Sequence, residues 1–396
     1  MAGPTTPVDF IRRLVAFDTT SSKSNLALIE FVAGVLRGQG IKPHLVPGAD
    51  GAKASLFATI GPNAPSGVVL SGHTDVVPVT DQAWTDDPFV VVERDGRLYG
   101  RGTADMKGFI AVALAMVPEF RARTLRVPIH LAFSYDEEVG CLSAPDLIER
   151  IVRVLPKPAL AIVGEPSEMK VANAHRGITT FVTTVTGRPG HASAPDAGIN
   201  AIACAAECIA HLGRIAGEFA GDQKFGKFAA DREPGDPPVP EHTTLNVGRI
   251  EGGSAVNIIA AHCRFVWECR PAPGVEAADV RSMLETFTET ELLPRMRKVA
   301  PEAAIATEQT VAVPALVPEV GSPAETLALA LTGQNRCGGV PFASEAGMFQ
   351  GAGIPAVVCG PGSPAQAHQP DEFVALDQVD ACAAFMHRLA DWAERR

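Results

Sequence analysis

Two kinds of hydrophobic patterning alternate along the first part of the chain. Residues 9–17 and 25–36 place apolar side chains at helical spacing, and Gly38 and Gly40 stop the second run. Residues 68–72, 128–134 and 160–163 are instead short continuous apolar runs, the mark of strands buried on both faces. Residues 110–120 form a strongly apolar helical segment between the first two of these strands. Strands of this kind separated by helices predict an α/β fold, with a mostly parallel or mixed sheet flanked by helices. In such sheets ligands bind outside the carboxyl ends of the strands.

The texture changes at Gly177. Residues 178–185 are rich in β-branched side chains, a helix is predicted over 200–215, and a polar stretch runs from 221 to 242. Strands at 243–249 and 262–268, a helix at 277–296 and a strand near 303–310 complete a β-α-β-β-α-β order. That order is the split-βαβ, ferredoxin-like pattern. The α/β pattern resumes with helices at 324–332 and 345–350 and a strand at 356–358. The expected organisation is a first domain in two parts, 1–176 and 314–396, with a second domain, 177–313, inserted between them.

A length of 396 residues fits two cores better than one. The formal charge of -11 argues against a nucleic-acid or anionic-membrane surface, because phosphate binding needs clustered Lys and Arg. No apolar run reaches the ~20 residues a membrane helix needs, and no signal peptide is evident at the N-terminus. The eight cysteines form no C-x-x-C pair and lie mostly in apolar segments, which fits thiols of a reducing cytoplasm. Cys204 and Cys208 share a helix face, and core packing is the favoured reading there.

The chemistry lies in five short contexts, in the order His73, Asp105, Glu138, Glu165, His368. His73, Glu138 and Glu165 all fall at the ends of predicted strands, which argues for one shared site. Carboxylates and imidazoles without thiolate suit Zn²⁺, with Co²⁺ or Mn²⁺ as substitutes. The series predicts two metal ions and a water activated between them, hence a hydrolase. Asp105, between Gly102 and Gly108, is the expected bridging carboxylate; alone, it would read as a helix N-cap. Glu137 and Glu138 are adjacent and point different ways, so Glu138 is assigned as ligand and Glu137 as general base. Asp75 is expected either to fix the His73 tautomer or to support the neighbouring shell. A lone histidine is more often structural, and His44, His130, His211, His242, His262 and His387 are read that way.

These motifs resemble the di-zinc amidohydrolase family that includes acetylornithine deacetylase, succinyl-diaminopimelate desuccinylase, aminoacylase and glutamate-releasing carboxypeptidases. The resemblance covers nearly the whole chain. It implies that residues matching the five ligands hold two zinc ions per subunit, and that the match to Glu137 is the general base. It also implies that the inserted domain is a lid that forms a homodimer. His191, in Gly190-His191-Ala192-Ser193, would then hydrogen-bond the oxyanion of the partner's site. The family more often has His-Ser at this point, so Ala192 is a departure that puts the following hydroxyl in doubt. Arg270, Asn257 and Arg176 match lid positions that contact substrate in relatives.

Within the family, Ala343-Ser344-Glu345-Ala346-Gly347 looks most like the Gly-Thr-Glu-Ala-Gly of acetylornithine deacetylases, with Ser for Thr and Ala for Gly. Glu345 is the expected partner of a substrate side-chain ammonium. The resulting expectation is hydrolysis of a small acylated amino acid, N²-acetyl-L-ornithine, in arginine biosynthesis. A desuccinylase or broad aminoacylase is the alternative within the class. A catalytically silent metal-containing binding or dimerisation protein is the alternative outside it.

Overall fold

The computed structural model describes residues 5–221 and 242–396, so the polar stretch 221–242 lies, except for its two end residues, outside the described residues. The chain divides into two compact units. One takes in the chain up to Ala174, Pro318–Val340 and Ser344–Arg396; the other comprises His175–Val317 and Pro341–Ala343.

In chain order the first unit opens with α1 (Pro7–Val15), α2 (Leu26–Gly38), β1 (Pro43–Pro47), β2 (Ala54–Ile60) and β3 (Val68–His73). It continues with β4 (Val92–Arg94), β5 (Arg97–Tyr99), α3 (Lys107–Ala115), α4 (Val117–Ala122), β6 (Ile129–Ser134), α5 (Ala144–Val154), β7 (Leu160–Pro166) and β8 (Ala172–His175). The second unit holds β9 (Ile178–Thr186), α6 (Ala201–Gly221), β10 (Thr244–Gly252), β11 (His262–Arg270), α7 (Ala277–Phe287), α8 (Leu293–Arg297) and β12 (Ala304–Val313). The first unit resumes with α9 (Pro323–Thr332), β13 (Gly338–Val340), α10 (Ala346–Gly351), β14 (Ala356–Gly360), β15 (Phe373–Ala375) and α11 (Leu376–Arg395).

The main sheet of the first unit has eight strands in the order β1-β2-β6-β3-β7-β14-β8-β13. Its centre, β6, β3, β7 and β14, is parallel, while β1, β2 and β8 pair antiparallel, so the sheet is mixed. Every residue of β3, β6, β7 and β14 is buried, which is why these strands read as continuous apolar runs. Helix α3 is buried all round from Lys107 to Leu114 and packs on β3 and β7, with α1 and α11 also against it. Burying Phe109, Ile110, Val112 and Leu114 contributes roughly 1.5–3 kcal/mol each. The segment 110–120, expected as one helix, is two. Pro118 lacks the N–H that would continue α3, and the chain restarts as α4.

The second unit is a four-stranded sheet in the order β10-β11-β9-β12, antiparallel throughout. With its two helical segments, this is the β-α-β-β-α-β arrangement. Phe181, Val185, Phe265 and Trp267 form its core with Cys204, Cys208 and Leu212 of α6, so the two thiols pack as apolar side chains. The helix expected over 277–296 is α7 and α8, joined by a π-helical turn at Thr288–Leu292 just ahead of Pro294. All eight cysteines are free.

A third, three-stranded sheet in the order β15-β5-β4 belongs to the first unit and was not expected. Its strands are three residues long, with Arg and Glu among them, and carry no readable alternation. Antiparallel pairing of Tyr99 with Phe373 sets the chain leaving β5 beside the chain entering β15. Gly100 N–H donates to the Glu372 carbonyl at 2.8 Å, the next step of that pairing.

Candidate metal centre

His73 ends β3, Glu165 is the penultimate residue of β7, and Glu137 and Glu138 follow β6. Asp105 sits in the loop between β5 and α3, and His368 precedes β15. The structure brings these six side chains together. The His73 ring donates from Nδ1 to the Asp75 carbonyl at 2.9 Å and from Nε2 to Asp105 Oδ1 at 2.9 Å. Glu165 Oε1 lies 3.6 Å from the same Nε2. On the other side of Asp105, His368 Nε2 is 3.3 Å from Oδ2 and 3.0 Å from Glu138 Oε2. Asp105 thus stands between two imidazoles. It caps no helix, because Met106 occupies the N-cap of α3 and makes no side-chain cap bond. His368 holds a left-handed backbone conformation, φ 63°, as does Asp136, φ 57°, just before the two glutamates. Non-glycine residues in that region concentrate at sites where geometry outranks local comfort.

Of the two tasks expected of Asp75, its carboxylate takes the second. It lies 3.6 Å from His73 Nδ1, beyond hydrogen-bond range. It accepts instead from Ser21 Oγ at 2.7 Å, from Glu137 N–H at 3.1 Å and from Glu138 N–H at 3.2 Å. The His73 ring is oriented by the backbone carbonyl of the same residue. Ser21 was not among the expected site residues; Thr-Thr-Ser-Ser reads as an ordinary loop, and only the fold places it there.

Four carboxylates, Asp105, Glu137, Glu138 and Glu165, face two imidazoles. Burial, reinforced by the charge on Glu165, pushes the Glu137 carboxyl well above its usual range. Burial and the Asp105 charge raise Glu138 to about 7. Burial raises Glu165 to about 7 against the pull of His73. Asp105 stays low despite its burial because His368 and His73 both hydrogen-bond it. His368 is raised to about 10 by Asp105 and Glu138. Cys141 Sγ lies 3.4 Å from Glu137 Oε1, and burial keeps its thiol protonated, a donor rather than a ligand.

This cluster fits divalent metal. Glu138 Oε1 and Glu165 Oε1 are buried with no hydrogen-bond partner, each a cost of about 1–3 kcal/mol that a cation at that point would remove. His73 with Glu137 and Glu165, and His73 with Asp105 and Glu138, each offer ligand atoms within 4.8 Å of one another.

The remaining expected residues lie elsewhere. His191, Asn257, Arg270 and Arg176 belong to the second unit. His191 is exposed, and its Nδ1 receives the Ser193 N–H at 3.2 Å with Ser193 Oγ at 2.6 Å. A backbone N–H can only donate, so Nδ1 is the bare nitrogen and Nε2 carries the proton. The hydroxyl that Ala192 cannot supply comes from Ser193. The Asn257 carbonyl accepts from Ala192 N–H at 3.0 Å, and a bridge between His191 and Ile258 holds the two loops together. Arg270 Nε donates to Glu268 at 2.6 Å, and Arg176 Nη1 to Thr244 Oγ1 at 3.1 Å, while Arg176 Nε is buried and unpartnered.

Glu345 is 1% exposed, beside β3, with Oε2 accepting from Ser71 Oγ at 3.1 Å and Oε1 buried without a hydrogen-bond partner.

Residues 69–392 match Peptidase family M20/M25/M40. The chain belongs to this family. It is accordingly a metal-dependent hydrolase of the amidohydrolase type. An acetylornithine deacetylase of Pasteurella multocida is 34% identical over 386 residues, 95% of each chain. Another, of Myxococcus xanthus, is 35% identical over 390 residues, covering 96% of this chain and 95% of its own. Among solved structures, the M20 family metallo-carboxypeptidase Sso-CP2 of Sulfolobus solfataricus superposes with a TM-score of 0.74 at 18% identity, covering 98% of this chain and 99% of that one. The YXEP protein of Bacillus subtilis, a dinuclear metal binding peptidase of the M20 family, does so at 0.65 and 15%, covering 97% and 96%. At those identities the structures speak for the fold alone.

Proposed function

We propose that the chain hydrolyses the acyl amide bond of a small acylated amino acid, N²-acetyl-L-ornithine, to acetate and L-ornithine. The observation that carries this reading is the full-length similarity, 32–35% identical, to acetylornithine deacetylases. His73, Asp105, Glu138, Glu165 and His368 would hold two divalent cations, with Asp105 between them. Zn²⁺ suits the donors, and Co²⁺ or Mn²⁺ would substitute. When bound, such ions polarise the acyl carbonyl and make water acidic near neutral pH.

The protein's own groups carry the rest. Glu137 takes a proton from the attacking water and returns it to the leaving nitrogen as the C–N bond breaks. Its raised basicity suits that exchange. His191 hydrogen-bonds the carbonyl oxygen through its Nε2–H as negative charge builds there, acting in trans across a homodimer formed by the inserted domain. Arg270, Asn257 and Arg176 receive the substrate carboxylate, for which a guanidinium fork is suited. Free thiols throughout fit a cytoplasmic location, and no helix among the described residues is long and apolar enough to cross a membrane.

The test is a panel of acetylornithine, succinyl-diaminopimelate and acetylmethionine with zinc- or cobalt-loaded protein. Acetylornithine is expected to give the highest kcat/KM, and a chelator to abolish turnover. A higher kcat/KM for the succinyl substrate would transfer the chain to desuccinylation. Metal-loaded protein with no turnover on any member would sink the enzymatic reading.

A further inference from the structure

Glu372 stands four residues after His368 and takes no part in the ligand set, yet it is the most heavily bonded carboxylate near it. Its side chain is fully buried. Oε1 accepts from the N–H groups of Ala104 at 2.9 Å and Asp105 at 3.0 Å. Oε2 accepts from Gly102 N–H at 3.0 Å and from Arg101 Nη1 at 2.6 Å. Every one of these donors belongs to the loop that ends at Asp105.

Arg101 extends the connection in the opposite direction. It is itself buried, lies with its guanidinium carbon 5.0 Å from the Trp84 ring centre, and donates through Nη1 to the Gln369 carbonyl at 3.3 Å and through Nη2 to Gln82 Oε1 at 2.6 Å. Gln82 in turn donates its amide N–H to the His368 carbonyl at 2.9 Å. Asp371 accepts both the N–H and the hydroxyl of Thr85, at 2.9 and 2.7 Å. Three loops, 82–85, 101–105 and 368–372, are thereby tied to one another.

We propose that Glu372, with Arg101 and Gln82, is a positioning bracket that holds the Asp105 carboxylate and the His368 imidazole in place toward one another, ready to bind metal. The inference rests on the reading of Asp105 and His368 as ligands. A buried ion pair is by itself weak grounds for stability, because desolvating both charges offsets their attraction. A pair kept only for stability would not need three consecutive-loop N–H groups on one carboxylate. Those bonds instead fix the backbone from which Asp105 projects, and the same arginine reaches the backbone that carries His368. Partners beyond the ligand shell commonly govern metal affinity by about 10–100-fold.

The experiment uses the full chain stripped of metal and titrated with Co²⁺, followed by visible absorption, with thermal unfolding of the metal-free protein in parallel. Glu372→Gln keeps the shape but turns an N–H₂ toward donors. It is expected to weaken cobalt binding by about 10-fold or more and to alter the absorption spectrum. Gln82→Ala, at the partly exposed end of the bracket, is expected to shift affinity in the same direction by less. Should Glu372→Gln fail to fold, Gln82→Ala decides, and wild-type affinity and spectrum there overturn the proposal. A Glu372→Gln protein that melts lower but binds cobalt within twofold of wild type, with an unchanged spectrum, also overturns it. Asp105→Asn separates the two layers. If that variant loses cobalt and Glu372→Gln does not, the bracket alone fails. If Asp105→Asn binds like wild type, the ligand reading fails and takes the bracket with it.

Discussion

Asp75 offers the sharpest test of how the Glu137–Glu138 turn is held. Its carboxylate is buried and spans three donors, Ser21 Oγ and the N–H groups of Glu137 and Glu138. Asp75→Asn keeps the size and replaces one oxygen by N–H₂. Placed at Oδ2, the amide still satisfies Ser21, whose hydroxyl can turn round and accept, but it faces the Glu138 N–H donor to donor. Placed at Oδ1, it faces the Glu137 N–H in the same way. Either orientation leaves one backbone N–H unpaired and weakens the remaining bonds by removing the charge. An unpaired buried donor costs about 1–3 kcal/mol. If that cost is expressed as displacement of the turn in the reacting complex, kcat falls by a factor of about 5–150. The assay is kcat and KM at saturating metal, with thermal unfolding alongside. Ser21→Ala, which leaves both backbone bonds in place, is the control and should cost less than twofold. A kcat for Asp75→Asn within twofold of wild type would refute the claim that this carboxylate positions the two glutamates.

Three further outcomes follow from the same geometry. His130 is buried in β6 with one ring nitrogen on Thr59, and burial lowers its pKa to about 4. Its unfolded value is ~6.5, so the unfolded chain takes up a proton first as pH falls. Stability is complete above pH ~6.5 and declines below it, by about 2 kcal/mol at pH 5 and about 3 kcal/mol once pH passes 4. Urea midpoints for His130→Gln should show a correspondingly shallower decline between pH 7 and 5, and an identical decline would contradict this account. Gly164 precedes Glu165, and a Cβ there would overlap the Phe109 ring of α3. Gly164→Ala should cost about 1–3 kcal/mol by overpacking and weaken metal binding with it, so a wild-type melting temperature would refute the tight fit. Ser193→Ala should lower kcat less than His191→Ala, because Ser193 N–H still holds His191 Nδ1; equal losses would show that the hydroxyl, not the backbone, sets the imidazole.

What could be read before folding divides by physical cause. β3, β6 and β7 are buried on both faces, so composition alone reveals them, and the candidate ligands at or just beyond their ends, His73, Glu138 and Glu165, come with them. The antiparallel sheet of the second unit was legible for a similar reason, since β-branched runs separated by helical spacing carry their own periodicity. Helices α5 and α11 and strands β1, β2, β8 and β13 were not among the expected elements. The burial of Glu345 against Ser71 was not legible, because a first-turn acid has the same local sequence whether it faces a cleft or lies beneath a strand.

The return of His368 to the site is the deeper case. In sequence it lies more than 200 residues after Glu165, and no periodicity connects them. What closes that distance is the pairing of β5 with β15, two strands too short to announce themselves. Because they run antiparallel, the segment leaving one and the segment entering the other must travel together, and Asp105 and His368 are the side chains those segments carry. Glu372 sits at the first step beyond the pairing, where its backbone carbonyl still accepts from Gly100 and its side chain already reaches Asp105. The candidate metal ligands are therefore consequences of two structures. The large sheet's strand ends supply one half, and a minor sheet with one buried glutamate supplies the other. Any change that loosens the minor sheet should uncouple His368 from Asp105 while leaving His73 and Glu165 in place.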